Sequence, residues 1–414
     1  MNIFDPSLNE INSKEIKAML TTTPSRIFHS HGHFWDEGFH NMVLVLWNEH
    51  MSVELLSNWL DLMNEDGWIP RELIIDQYSK LNVPKHYHNH ITNIANPPTF
   101  LFPLLHIAKK LAFKDESSSN FLKVMFSKVA RWFDWFINSQ AGYHQFSYRW
   151  RGRDHLMNKM QKNKMTMSSG IDDYPRSKIV DRYERHLDLR CWIAFAANIT
   201  GQIANLVGEE RSKYDEIFKH LTEESLLDDL HWDNKYMRFG DFGAETGSII
   251  SIFSSHKVVN RIGYISIFPF LMKIIHPDSY KLKFIIDDMT NERKLWTDYG
   301  LRSLSKSDEY YKQNNDINAE DEPQWRGSIR LNINYLALRA LKYYETHSVR
   351  YQNVIQDLYQ RLRENILNNV IDVYYEQGNF YERYNDETGA GEGHYPHSSA
   401  SLFILILSEE YFDE

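Results

Sequence analysis

Residues 121–136, FLKVMFSKVARWFDWF, decide the fold class of this chain. Phe121, Leu122, Met125, Val129, Trp132, Phe133 and Phe136 recur there at steps of three and four, the stripe an α-helix turns toward a core. A half-buried strand would alternate strictly, and this stretch does not. The same period returns at Val354, Leu358, Leu362, Ile366 and Leu367, and 332–344 runs on without a breaker. Further helical stretches are expected at 42–64, 99–112, 187–206, 214–221, 265–275 and 399–409. Polar connections bearing Gly and Pro, such as 151–188 and 239–247, separate them. The chain is therefore expected to be all-α. Helix pairs of this number either stack into a superhelix, which shows as a sequence repeat, or close into a toroid around a central pocket. No repeat is visible, and the long connections carry unusual chemistry, which favours the toroid. No Gly/Ser linker or composition shift divides the 414 residues, so 1–414 is expected to be a single domain.

Composition narrows the classes. The net charge of −10 argues against a nucleic-acid partner, whose phosphates demand a basic face. Cys191 is the only cysteine, so neither an intrachain disulfide nor a cysteine zinc site exists. Aromatic residues make up 14%, enough both to pack a core and to stack on sugar faces. The most apolar stretch, 263–275, contains Pro269 and Lys273 and falls short of the ~20 residues that span a bilayer. The opening residues, MNIFDPSLNE, do not form a signal peptide as written.

Acidic residues cluster with aromatics and arginines in the connections. The clusters are Trp35-Asp36-Glu37, the 148–154 string with Trp150 and Arg151, the 170–176 string with Asp172 and Asp173, Glu184 to Asp188, Glu322 to Gly327 with Trp325 and Arg326, and Tyr381-Glu382-Arg383-Tyr384. Guanidinium and carboxylate groups hydrogen-bond sugar hydroxyls while an indole covers the C–H face of the ring. Glycoside hydrolysis needs a protonated carboxylic acid for the leaving oxygen and a second carboxylate. The bland alternative for any one cluster is a salt-bridged loop anchor. Two histidine runs, His29-His31-His33 and His86-His88-His90, would each present three rings on one face if extended. They are expected to be exposed loop histidines, and no metal or other cofactor is assigned to the chain. Phosphate-binding glycine loops, nucleophile elbows of the GxSxG type and HExxH are absent from the sequence.

In order along the chain stand FWDEGFH (34–40), LMNEDGWI (62–69), ANPPT (95–99), YRWRGRD (148–154), SGIDDYPR (169–176), ERHLDLRCW (184–192), GYISIFPF (263–270), LWTDYGLRSLS (295–305), WRGSI (325–329) with NINYL (332–336), and YERYNDETGAG (381–391). Together they resemble the processing α-glucosidase I group, the mannosyl-oligosaccharide glucosidases of glycoside hydrolase family 63. The resemblance implies an (α/α)6 toroid that removes the terminal α-1,2-linked glucose of the triglucosylated N-glycan precursor, by inversion and without a catalytic metal. It implies Asp172 as general acid and Glu382 as general base. It places Glu184 and Asp188 near the site and makes Trp35 and Asp36 contacts to the non-reducing glucose. The bottom-up reading agrees: Asp173 beside Asp172 would help keep one of the pair protonated, and Glu382 lies between tyrosines in a partly apolar setting. The two carboxyls are expected about 6.5–9.5 Å apart, with room for a water.

The chain departs from the family's pattern in several places. Only 33 residues precede Phe34, so the family's membrane anchor and N-terminal β-sandwich are expected to be absent, and a first barrel helix is in question. Arg330 stands where the family often has Trp, and the stretch 396–400, PHSSA, lacks a usual Trp. An inverting glucosidase for another α-glucoside, and an inactive glycan-binding fragment, remain the alternative readings. The substrate class implies the endoplasmic reticulum lumen. Asn198-Ile199-Thr200 is a sequon inside an apolar helical stretch, expected to be buried and unmodified.

Overall fold

A computed structural model describes residues 19–27, 29–74, 80, 91–153, 165–245, 256–314 and 322–412. Among them lie twelve α-helices: α1 (Phe34–Trp47), α2 (Glu49–Asp61), α3 (Leu101–Leu111), α4 (Glu116–Ser139), α5 (Leu187–Val207), α6 (Ser212–Thr222), α7 (Glu224–His231), α8 (Phe268–Leu271), α9 (Lys281–Met289), α10 (Leu331–His347), α11 (Gln352–Gln377) and α12 (Leu402–Ser408). Strands are confined to short antiparallel pairs of two or three residues each.

The helices close a ring. α1 packs on α3, α3 on α5, α5 on α8, α8 on α10, α10 on α12, and α12 returns to α1. Outside it, α2 covers α1 and α3, α4 covers α3 and α5, α6 lies on α5, and α11 lies on α10 and α12. Sequence explains which helix goes where. α5 is apolar or small almost all round, and every position but Asn198, Gln202, Asn205 and Leu206 is buried. α4 instead buries a stripe of Leu122, Met125, Val129, Trp132, Phe133, Trp135 and Phe136, as suits a helix with one wet face. The toroid read from the sequence is thus the observed architecture. Any helix within 1–18 lies outside the described residues, as does the second histidine run, 86–90.

Some boundaries differ from the sequence reading. The stretch 42–64 is broken at Asn48, which ends α1 and caps α2 by accepting a hydrogen bond from Met51 N. The stretch 265–275 becomes a 3-10 turn (Ile265–Ile267), the short α8, and a reversal at Lys273, whose φ is 57°. Asn198 sits midway along α5 but is half-buried, with its side chain accepting from Gln202. Among the described residues no helix is long and apolar enough to cross a membrane.

Candidate active site

A pocket of about 860 Å³ opens at one end of the ring. Its walls come from residues at or just before the N-terminal ends of inner helices. His33, Trp35 and Asp36 belong to the start of α1, Asn96 precedes α3, Arg330 and Asn332 flank the start of α10, and His397 and Ser399 precede α12. Loops supply more of the wall, from Gly170 to Asp173, Glu322 to Trp325 and Glu382 to His394, and so do His29, His31, Arg71 and Glu72.

Asp172 is presented by a tight turn. Gly170 adopts φ 73°, and a Cβ there would lie 2.8 Å from the Trp35 ring, so the loop passes directly over that indole. Thr166 N donates to the Asp172 carbonyl at 2.8 Å and fixes the turn from the other side. Burial raises the Asp172 carboxyl to about 7; Arg71 opposes that rise and the neighbouring Asp173 adds to it. Burial is therefore a larger cause than the adjacent like charge on which the sequence reading relied.

Glu382 stands in the opposite state. Burial would raise it, but Arg330, His394 and His397 together hold it well below the usual carboxylate range. Arg330 Nη1 donates to its Oε1 at 2.8 Å, and His394 N donates to Oε2 at 3.1 Å. His394 Nδ1 also lies 3.0 Å from that oxygen. Reciprocal backbone bonds between Ile329 and Tyr384 bring Arg330 beside Glu382. Gly393, at φ 74°, leaves the space in which Glu382 meets the His394 amide. The expected partly apolar setting is thus a cationic one. With about four acceptor positions on a carboxylate, these donors still leave room for a water.

Asp36 is a third acid on the wall, pushed up to about 8 by burial and then by Glu382 and Glu72. Asp173 faces the loop opposite: its carboxylate accepts from Gln324 N at 2.9 Å and Trp325 N at 2.7 Å. It thereby holds the Trp325 indole at the pocket, where Arg330 lies 4.5 Å over the ring. Glu322 is mostly exposed and receives Arg383 at 2.6 Å. The protein groups alone thus supply a protonated acid, an ionised carboxylate and aromatic faces in one cavity.

Residues 5–409 match the glycosyl hydrolase family 63 C-terminal domain. The chain belongs to glycoside hydrolase family 63. It is 35% identical over 425 residues to a mannosyl-oligosaccharide glucosidase of Arabidopsis thaliana, covering 95% of this chain and 50% of that protein. It is 30% identical over 428 residues to the mannosyl-oligosaccharide glucosidase of Saccharomyces cerevisiae, covering 91% of this chain and 49% of that one. The chain thus spans about half the length of the curated relatives it matches. A family 63 mannosylglycerate hydrolase of Thermus thermophilus shares the fold, with a TM-score of 0.69 at 14% identity over 97% of this chain and 99% of that one.

Within this family 63 chain, the residues singled out from sequence separate into two groups. Trp35, Asp36, Asp172, Asp173, Glu322, Trp325 and Glu382 line the pocket. Glu37, Trp150, Arg151, Glu184, Asp188 and Arg326 do not. Glu37 is fully buried and accepts from Thr21, Thr22 and Asn41. Trp150 donates its Nε1–H to Asp188 at 3.1 Å. Asp188 also grips Arg176 through both oxygens, and Asp241 takes the same guanidinium at 3.0 Å. Glu184 pairs with Arg153 at 3.0 Å, and Arg151 and Arg326 donate to backbone carbonyls. The ERHLDLRCW string therefore acts from beneath: Asp188 anchors Arg176, which lies four positions after Asp172.

Several wall residues went unassigned in the sequence. Arg71, Glu72 and His394 lie outside every string quoted above, Asn96, Gln324 and Asn332 lie within such strings without a role of their own, and Arg330 and His397 stand at departures from the family's pattern. The run His29-His31-His33 is not exposed as expected. The 31–34 segment pairs with 71–73, through Leu73 N to Gly32 O at 2.9 Å and Phe34 N to Arg71 O at 2.8 Å. That pairing draws the rings inward, leaving His31 only 5% exposed.

Proposed function

We propose that this chain is the catalytic unit of an inverting α-glucosidase that removes terminal glucose from glucosylated high-mannose N-glycans. The observation that carries the reading is the opposed state of two carboxyls in one pocket: Asp172 kept protonated up to about 7, Glu382 kept ionised. Asp172 delivers its proton to the glycosidic oxygen as the C–O bond breaks. Glu382 accepts a proton from a water that attacks the anomeric carbon from the opposite face, and the product leaves with inverted configuration. Trp35 and Trp325 supply the faces on which a sugar ring stacks, and protonated Asp36 is placed to donate to a hydroxyl. Arg330 keeps Glu382 charged at the cost of some basicity. The relatives named for mannosyl-oligosaccharides support that substrate class, and that class favours the endoplasmic reticulum lumen as the place of action.

The test follows glucose released from a triglucosylated glycan by proton NMR in the first minutes of reaction. β-Glucose appearing first is expected; α-glucose first would overturn inversion. Asp172→Asn and Glu382→Gln are each expected to lower kcat by roughly 10²–10⁴, with unchanged circular dichroism. Near-normal turnover in either variant would remove that residue from its role.

A further inference from the structure

The histidine run on the pocket wall has chemistry that the hydrolytic reading does not use. His33 pairs with Glu72 as an antiparallel bridge, so His31, His33 and Glu72 meet on one side of the paired segments. Glu72 Oε2 lies 3.0 Å from His31 Nε2 and 3.6 Å from His33 Nε2, and the three donor atoms all fall within 4.8 Å of one another.

The tautomer of His33 is fixed. Its Nδ1 lies 2.9 Å from the His31 carbonyl, which only accepts, so Nδ1 carries the hydrogen. In the neutral ring that leaves Nε2 with a lone pair directed at Glu72 Oε2. Two acceptors then face each other across 3.6 Å, a contact that a cation bridging them would satisfy. A carbonyl bond at Nδ1 is also the usual device for orienting a metal-bound histidine. His31 completes the set; its Nδ1 is buried without a hydrogen-bond partner, leaving Nε2 to interact with Glu72. Arg71 occupies the other oxygen of Glu72, so one carboxylate oxygen remains for an ion.

We propose that His31 Nε2, His33 Nε2 and Glu72 Oε2 form a binding site for a first-row divalent transition ion of the zinc type. Tetrahedral zinc with bonds of roughly 2.0–2.1 Å holds its ligand atoms ~3.3 Å apart. Two of the three ligand pairs, at 3.0 Å and 3.6 Å, bracket that spacing, and the third lies within 4.8 Å. Two imidazoles and one carboxylate select zinc-like ions over calcium or magnesium, which prefer oxygen. On binding, the hydrogen of His31 moves from Nε2 to Nδ1, which frees the Nε2 lone pair for the ion. The three ligands leave a fourth position for water or for a hydroxyl of the pocket's occupant. This departs from the expectation of a metal-free chain, and it stands or falls independently of the hydrolytic reading.

The test titrates the chelator-stripped full chain with Zn²⁺ by calorimetry and with Co²⁺ by visible absorption. One equivalent is expected to bind, with Co²⁺ giving the intense d–d bands of a four- or five-coordinate site, and excess Mg²⁺ is not expected to compete. His33→Ala and Glu72→Gln are each expected to weaken Zn²⁺ at least tenfold. X-ray absorption on the zinc-loaded wild type is expected to show two imidazoles, which decides the matter if a variant fails to fold. No stoichiometric binding would overturn the proposal. So would an affinity unchanged in both variants, the sign of binding elsewhere among the chain's 19 histidines.

Discussion

Asp172 and Asp36 are carboxylic acids that the fold keeps partly neutral, and both consequences of that can be measured. In the proposed mechanism only protonated Asp172 serves the leaving oxygen, so kcat/KM is expected to hold up to about pH 7 and then fall about tenfold per unit. Glu382, held low by Arg330 and the histidines against the effect of burial, puts the acidic limb below the usual carboxylate range. A rate that rises between pH 7 and 9 would contradict the assignment of Asp172 as the acid. Stability moves the same way. Both acids have folded pKa values above the ordinary 3.8, so the unfolded chain loses their protons first as pH rises. Their stabilising effect is complete below about pH 3.8 and is lost as pH climbs through 7 and 8. Asp36→Asn and Asp172→Asn are therefore each expected to melt higher than the wild type at pH 8.5. The gain should shrink toward nothing at pH 4. A constant difference across that range would mean that something other than titration is at work.

At the scale of an element, the loop that carries Asp172 is held by its surroundings more than by its own bonds. Gly170 lies against Trp35 above, while the Arg176–Asp188–Asp241 cluster is buried below. Gly170→Ala would need φ near 73° and would place a methyl 2.8 Å from the indole. It is expected to cost about 1–2 kcal/mol in left-handed backbone strain, and to depress kcat beyond its effect on thermal stability. Asp188→Ala leaves the buried Arg176 with one partner and is expected to destabilise the chain by roughly 3–5 kcal/mol. Urea unfolding separates this anchoring role from a sugar-binding one. If Asp188→Ala unfolded like the wild type but bound glucose poorly, the residue would be a contact. This is also where sequence reading reached its limit. SGIDDYPR and ERHLDLRCW announce a charged site, and Asp172 indeed faces the pocket. Yet Glu184 and Asp188 are the same residue types as the wall acids. Only folding turns one pair inward onto Arg153 and Arg176 and another onto the cavity.

For the whole molecule, the helical period of 121–136, the absence of a repeat and the chemistry carried by the long connections together favour a closed ring, in which apolar helix faces find partners on both sides. Which ends meet was not legible. Closure depends on contacts hundreds of residues apart, such as Ser398 N to Pro24 O at 2.8 Å and the packing of α12 on α1. The histidine run was misjudged for the same reason, since its partner Glu72 is distant in sequence. α12 is short, but it is the link between α10 and α1. The residues after it fasten α10, with Tyr335 donating to Glu410 O at 3.1 Å and Arg339 to Phe412 O at 2.7 Å. Ending the chain after Ser401 removes buried Leu402, Leu405 and Ile406 together with these anchors. Each such side chain contributes on the order of 2–5 kcal/mol, so their joint loss rivals the ~5–15 kcal/mol that stabilises a whole domain. The shortened chain is expected to lack a cooperative calorimetric transition and to bind hydrophobic dye at 25 °C. Retention of a sharp transition within a few degrees of the wild type would show that the ring does not depend on α12 for closure.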